Sequence, residues 1–117
     1  MVTPRFDELI HSPTRLTIVS LLAATAWAEF RFLRDSAGLS DSALSKQLTT
    51  LEEAGYVQVR KTSVGRRART SARLTTAGRL AFAQHAAALQ DIVGRANIVA
   101  TVPQGGSGRA GRQATER

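Results

Sequence analysis

The run from Phe30 to Tyr56, FRFLRDSAGLSDSALSKQLTTLEEAGY, constrains this chain more than any other stretch, because two helical patterns stand in it with room only for a tight turn between them. Phe30, Leu33 and Ala37 recur at helical spacing, and Gly38 stands where a helix end takes a left-handed residue. Leu39 tucks inward from the turn. Ser40 or Asp41 then offers a side-chain oxygen to the free amides of the next helix. In that second helix Leu44, Leu48 and Leu51 share one face, at about 100° per residue. Gly55 closes it, and Tyr56 is placed to pack back on Leu51. The stretch is predicted to be a helix-turn-helix.

The face opposite the leucines carries Ser42, Ser45, Lys46, Thr49 and Thr50, with Glu53 near its far end. Short hydroxyls approach phosphates or base edges without bulk, and a lysine reaches further. A face that is merely solvated has the same composition. The surrounding chain has to decide between the two.

At 117 residues the chain fits one domain with a single core. Sixteen Lys and Arg against nine Asp and Glu give a formal charge of +7, which favours a polyanionic partner, either nucleic acid or an anionic membrane surface. Cysteine is absent, which excludes disulfides, thiol redox sensing and thiolate metal sites. The charge-free run Leu16–Ala28 is 13 residues, too short to cross a bilayer. The charges and proline before it do not form a signal-peptide layout, so a cytoplasmic protein with no membrane partner is expected.

Thr3 and Pro4 pattern as a cap and first helical position, predicting a short helix to about His11 whose Phe6, Leu9 and Ile10 need a surface to cover. Ser12 and Pro13 repeat that pattern and open a helix to about Ala24, with Leu16, Val19, Leu22 and Ala23 on one stripe and Ile18 and Leu21 beside it. Ala26–Glu29 is short enough for a brief strand that brings Trp27 against the core. Tyr56–Lys61 alternates as a strand does, Thr62–Arg67 contains Gly65 and turns the chain, and Ala68–Leu74 returns as a second strand. Arg60, Lys61, Arg66, Arg67, Arg69 and Arg73 fall on this hairpin with no acid among them. Directly after a candidate recognition helix, such a run is suited to phosphate or minor-groove contact, with Lys61, Arg66, Arg67 and Arg69 as the wing contacts.

Thr75 or Thr76 caps a last helix running from about Ala77 to Arg95, in which Phe82, Ala86, Leu89 and Val93 form a narrow seam. The seam suits the same helix of a second subunit, which would also cover Phe6, Leu9 and Ile10; packing within one domain is the alternative. Residues 1–95 are therefore expected to form one binding and dimerisation domain. Residues 96–117, Gly- and Arg-rich from Pro103 onward, are expected to be a disordered tail. The fold class is mainly α with a small β-hairpin, within the α+β group.

Three segments carry a resemblance: HSPTRLTIVSLLAA at His11–Ala24, LSDSALSKQLTTLEEAGYVQVRK at Leu39–Lys61, and LTTAGR at Leu74–Arg79. Together they resemble the winged helix-turn-helix of bacterial MarR/ArsR-type transcriptional regulators, especially the small stand-alone proteins of that group. The resemblance implies that Ser42, Ser45, Lys46, Thr49 and Thr50 enter a DNA major groove, and that Arg66, Arg67 and Arg69 form the wing. It also implies a homodimer on a pseudo-palindromic double-stranded site with half-sites about one helical turn apart. The chain departs from ArsR-type metal sensors: it has no cysteine, and His11 and His85 lack ligand spacing and are read as surface or interface residues. No metal or cofactor is expected. The chain is shorter than typical MarR proteins, whose extra helices help to enclose effectors.

A winged-helix module that binds RNA or a protein partner is the competing reading. An enzyme is not expected, since no paired Ser and His, HExxH, P-loop or GxGxxG is present.

Overall fold

A computed structural model describes residues 2–101 of the chain. The elements follow in the order α1 (Pro13–Ala23), β1 (Ala28–Glu29), α2 (Phe30–Ala37), α3 (Asp41–Glu53), β2 (Val57–Val64), β3 (Arg67–Leu74) and α4 (Thr76–Thr101). The strands form one antiparallel sheet in the order β1-β3-β2. The result is a helical domain with a hairpin wing, as the patterns predict.

The core is built where the helical stripes meet the inner face of the sheet. Ile18, Val19 and Leu22 of α1 pack with Leu33 of α2, with Leu44, Leu48 and Leu51 of α3, and with Val57, Ala72 and Leu74 of the hairpin. Fully burying a leucine of this kind contributes on the order of 1.5–3 kcal/mol. The buried line of α1 runs through Ile18; Leu16, expected on the central stripe, is only half-buried. Ser12 caps α1 by accepting the Arg15 amide, and Pro13 takes the first helical position, where its missing N–H costs nothing.

Four segments differ from expectation. The N-terminal helix predicted from Thr3 does not form. Residues 2–7 run as an arm, and only residues 8–11 make a turn, because Asp7 provides the cap: its Oδ1 accepts the amides of Leu9 and Ile10 at 2.9 and 3.3 Å. Ile10, expected at an interface with a second copy, is fully buried in its own chain. Trp27 does not enter the core. Ala28, its neighbour on β1, is the buried residue, and the alternation of a strand turns Trp27 to the opposite face.

The hairpin loop is tighter than Thr62–Arg67. Val64 pairs with Arg67, leaving a two-residue loop of Gly65 and Arg66, with Gly65 at φ 63°. Finally, α4 passes the expected end at Arg95 and continues to Thr101, so the expected domain boundary falls within a helix. The Gly- and Arg-rich segment from Pro103 lies outside the described residues.

Candidate nucleic-acid interface

The turn that sets up α3 is fixed by local chemistry. Gly38 takes the left-handed conformation at φ 68°, which lets the Leu39 amide donate back to the Arg34 carbonyl at 2.9 Å. Of the two candidate caps, Ser40 is the one used: its Oγ accepts the Ala43 amide at 3.1 Å. Asp41 instead accepts from Arg34 at 2.9 Å, so the acid nearest the start of α3 is neutralised by a cation of α2. Hydrogen bonds to Asp35 and then Asp41 raise the Arg34 pKa above its ordinary value, and the guanidinium stays charged.

With Leu44, Leu48 and Leu51 buried, Ser42, Ser45, Lys46 and Thr49 stand exposed on the other side, and Thr50 is half-buried at its flank. The threonine hydroxyl protons are already used. Thr49 donates to the Ser45 carbonyl at 2.9 Å and Thr50 to the Lys46 carbonyl at 3.1 Å, which leaves both oxygens as acceptors. An open groove of about 530 Å³ runs between α3 and the wing, and Ser45, Thr49, Lys61 and Thr70 line it. The structure thus brings Lys61 of the wing together with the helix face. Asp41 and Glu52 also border the groove and limit where an anion can sit in it.

The other wing cations lie elsewhere. Arg66 occupies the loop at the tip. On β3 the buried residues are Ala72 and Leu74, so Arg67, Arg69 and Arg73 alternate onto the reverse face of the sheet, together with Arg60 of β2. Arg69 faces Glu29 of β1 at 3.4 Å. On the same reverse face the Arg60 guanidinium lies 3.9 Å from the Trp27 ring centroid and that of Arg73 lies 5.1 Å away, while Arg73 also donates to Gln58 at 2.8 Å. Sequence reasoning missed this stack. The alternation of Arg60 and Arg73 with the hydrophobic positions of the hairpin was the available signal.

His11 and His85, read as surface or interface residues, meet each other. His85 is fully buried, and its Nε2 lies 3.3 Å from Nδ1 of His11, which is exposed. Among the described residues no group of three His, Asp or Glu side chains is placed to hold a metal ion. No helix among them is long and apolar enough to cross a membrane.

A helix-turn-helix buttressed by α1, followed by a two-stranded wing that shares a groove with the second helix, defines a winged-helix architecture. The chain belongs to the winged helix DNA-binding domain family, whose model it matches over residues 14–93. It is 33% identical over 75 residues to a protein of Methanocaldococcus jannaschii, a match covering 64% of this chain and 82% of the other. It superposes on a transcriptional regulator homologue from Pyrococcus horikoshii OT3 with a TM-score of 0.70 at 23% identity, covering 74% of this chain and 86% of that one. A homodimeric winged helix-turn-helix DNA-binding domain from Mycobacterium bovis, described as a possible ArsR-family transcriptional regulator, aligns with a TM-score of 0.56 at 22% identity, covering 78% and 76% of the two chains. The structural neighbours of the chain are MarR- and ArsR-family transcriptional regulators.

Proposed function

We propose that the protein is a homodimeric transcriptional regulator that binds double-stranded DNA at a specific sequence, with α3 in the major groove and the wing on the backbone or minor groove beside it. The observation that carries this reading is the shared groove: Ser45 and Thr49 of α3 face Lys61 of the wing, and Ser42 and Lys46 stand exposed on the same helix. Because the Thr49 proton is held by the Ser45 carbonyl, its oxygen suits a base amino group, adenine N6 or cytosine N4. Lys46 is a donor for guanine O6 and N7 or for a phosphate. Arg66 at the wing tip supplies a sequence-independent contact.

The dimer is supported by α4. Ile92 and Val93 are 51% and 54% exposed on its far half, Leu89 and Ala86 are half-buried, and Phe6 of the arm is 40% exposed. Phe82, at the start of the seam, already packs on its own core, so the intersubunit seam runs from Ala86 onward. The M. bovis neighbour is homodimeric, which supports a dimer without indicating the face it uses.

The test separates sequence reading from plain attraction. Lys46→Ala should weaken binding to the preferred duplex by about 1–3 kcal/mol if Lys46 contacts a base. Arg66→Ala with Arg67→Ala should weaken binding to every duplex and reduce the slope of log affinity against log salt by about one unit for each phosphate no longer neutralised. Unchanged affinity in both variants, or a stem-loop RNA outcompeting all duplexes, would contradict the proposal.

A further inference from the structure

The arm of residues 2–11 is held against α4 by hydrogen bonds that admit only one protonation state. The Asp7 amide donates to Nδ1 of His85 at 2.9 Å, so that nitrogen is an acceptor and the proton of the neutral ring is on Nε2. Nε2 of His85 lies 3.3 Å from Nδ1 of His11, which must therefore accept, leaving the His11 proton on its own Nε2. Neither ring has room for a second proton. On His85 it would point at the Asp7 N–H, and on His11 it would point at the Nε2–H of His85. Phe6 closes over both rings, with centroids 4.6 Å from His11 and 4.8 Å from His85.

The same arm reaches the exit of α3. Oδ2 of Asp7 accepts the Tyr56 hydroxyl at 2.6 Å, and the Arg5 amide donates to the Gln84 carbonyl at 3.0 Å. Arg15 of α1 holds the far end of the arm by donating to the Leu9 carbonyl at 2.7 Å. The arm therefore ties α4 to the segment that follows the recognition helix.

We propose that residues 2–11 are a latch released by protonation of His85, and that release loosens the joint between α4 and the exit of α3.

The direction in pH follows from the groups that face His85. Burial, and next the neighbouring His11, lower its pKa below the ordinary 6.5, against the opposing pull of Asp7 and Glu8 from the arm. Tyr56 stays a neutral donor, its pKa raised first by the hydrogen bond to Asp7 and then by burial. Once the arm is released, His85 returns towards the ordinary value of about 6.5. The released state then binds more protons than the latched one. The latch is at full strength above about pH 6.5 and weakens as pH falls below it.

The test is a pH series of amide and imidazole NMR spectra on the whole chain from pH 8 to 5. The Asp7 amide and the His85 ring should shift with one common midpoint, and the arm should gain mobility while the Leu44 and Leu51 amides stay fixed. His85→Gln, whose carbonyl can take the Asp7 amide without titrating, should keep the arm latched at pH 5. If that variant does not fold, His11→Ala at an exposed position serves: it removes both the repulsion and the acceptor, and should move the midpoint to higher pH. An Asp7 amide that does not shift, a midpoint unmoved by His11→Ala, or Leu44 and Leu51 shifting together with the arm would overturn the latch.

The effect on duplex binding rests on the DNA-binding reading above and is measured separately. Duplex affinity that changes between pH 7.5 and 5.5 in the parent but not in His85→Gln supports the coupling, and equal changes in both overturn it. A protein whose arm titrates but which binds no duplex at any pH would keep the latch and remove the DNA-binding reading.

Discussion

Gly78 shows how much one hydrogen atom decides in this molecule. A Cβ at this position would overlap the carbonyl oxygen of Tyr56, because α4 begins against the backbone that leaves α3. Thr75 locks the same contact. Its amide donates to the Tyr56 carbonyl at 2.9 Å, its Oγ1 donates to the Gly55 carbonyl at 2.6 Å, and that Oγ1 accepts the Gly78 amide at 3.0 Å. Arg79 then reaches the carbonyls of Ala23 and Thr25 at the end of α1. The LTTAGR segment is thus a clasp between three elements. Gly78→Ala should destabilise the domain by about 1–3 kcal/mol in urea denaturation, as overpacking does; a gain in stability, the usual result of removing glycine from a helix, would show that the clasp is looser than described. Gly38, and a cap at Ser40 or Asp41, were legible in the sequence because each acts within its own turn; the structure picks Ser40. Gly78 was not, because the atom that demands glycine belongs to Tyr56, on a different element. His85 was hidden for the same reason, its partners Asp7 and His11 being at the opposite end of the chain.

At the scale of elements, α3 could be read almost completely, since a helix that buries Leu44, Leu48 and Leu51 must expose Ser42, Ser45, Lys46 and Thr49. The wing was less transparent. A strand sorts its side chains by twos, so the position of the turn decides which cations face the helix. Taking the turn as Thr62–Arg67 left that register open; the two-residue loop at Gly65–Arg66 turns Lys61 towards α3 and Arg67, Arg69 and Arg73 away from it. The first predicted helix failed because Thr3 and Pro4 imitate a cap, while the capping carboxylate is Asp7. For α4 the pattern showed an apolar seam, and the fold divides it: Phe82 serves the core, while Val93 is 54% exposed. In the proposed dimer Val93 is buried against its counterpart. Leu89→Glu with Val93→Glu should therefore yield a particle of one chain mass by light scattering, with helix content retained. A parent protein that already has the mass of one chain would contradict the dimer.

Across the whole molecule, charge and architecture point the same way. The formal charge is +7, and among the described residues the ion pairs engage only Arg34 and Arg69 among the cations, so the charge of the other basic groups is not offset by a neighbouring carboxylate. Charge of this kind attracts any duplex, an attraction that falls steeply with salt; in the proposed function the hydroxyls and Lys46 on α3 supply the choice of sequence. The measurement that tests this division most directly is selection from a pool of random duplex DNA at about 200 mM salt, where non-specific binding is weakened, with the retained fraction sequenced. A dimer reading DNA through α3 should enrich an inverted repeat with half-sites about one helical turn apart, and Lys46→Ala should relax the preference within each half-site. Retention without any enriched sequence, or enrichment unchanged by Lys46→Ala and lost only with the wing arginines, would contradict a recognition role for α3.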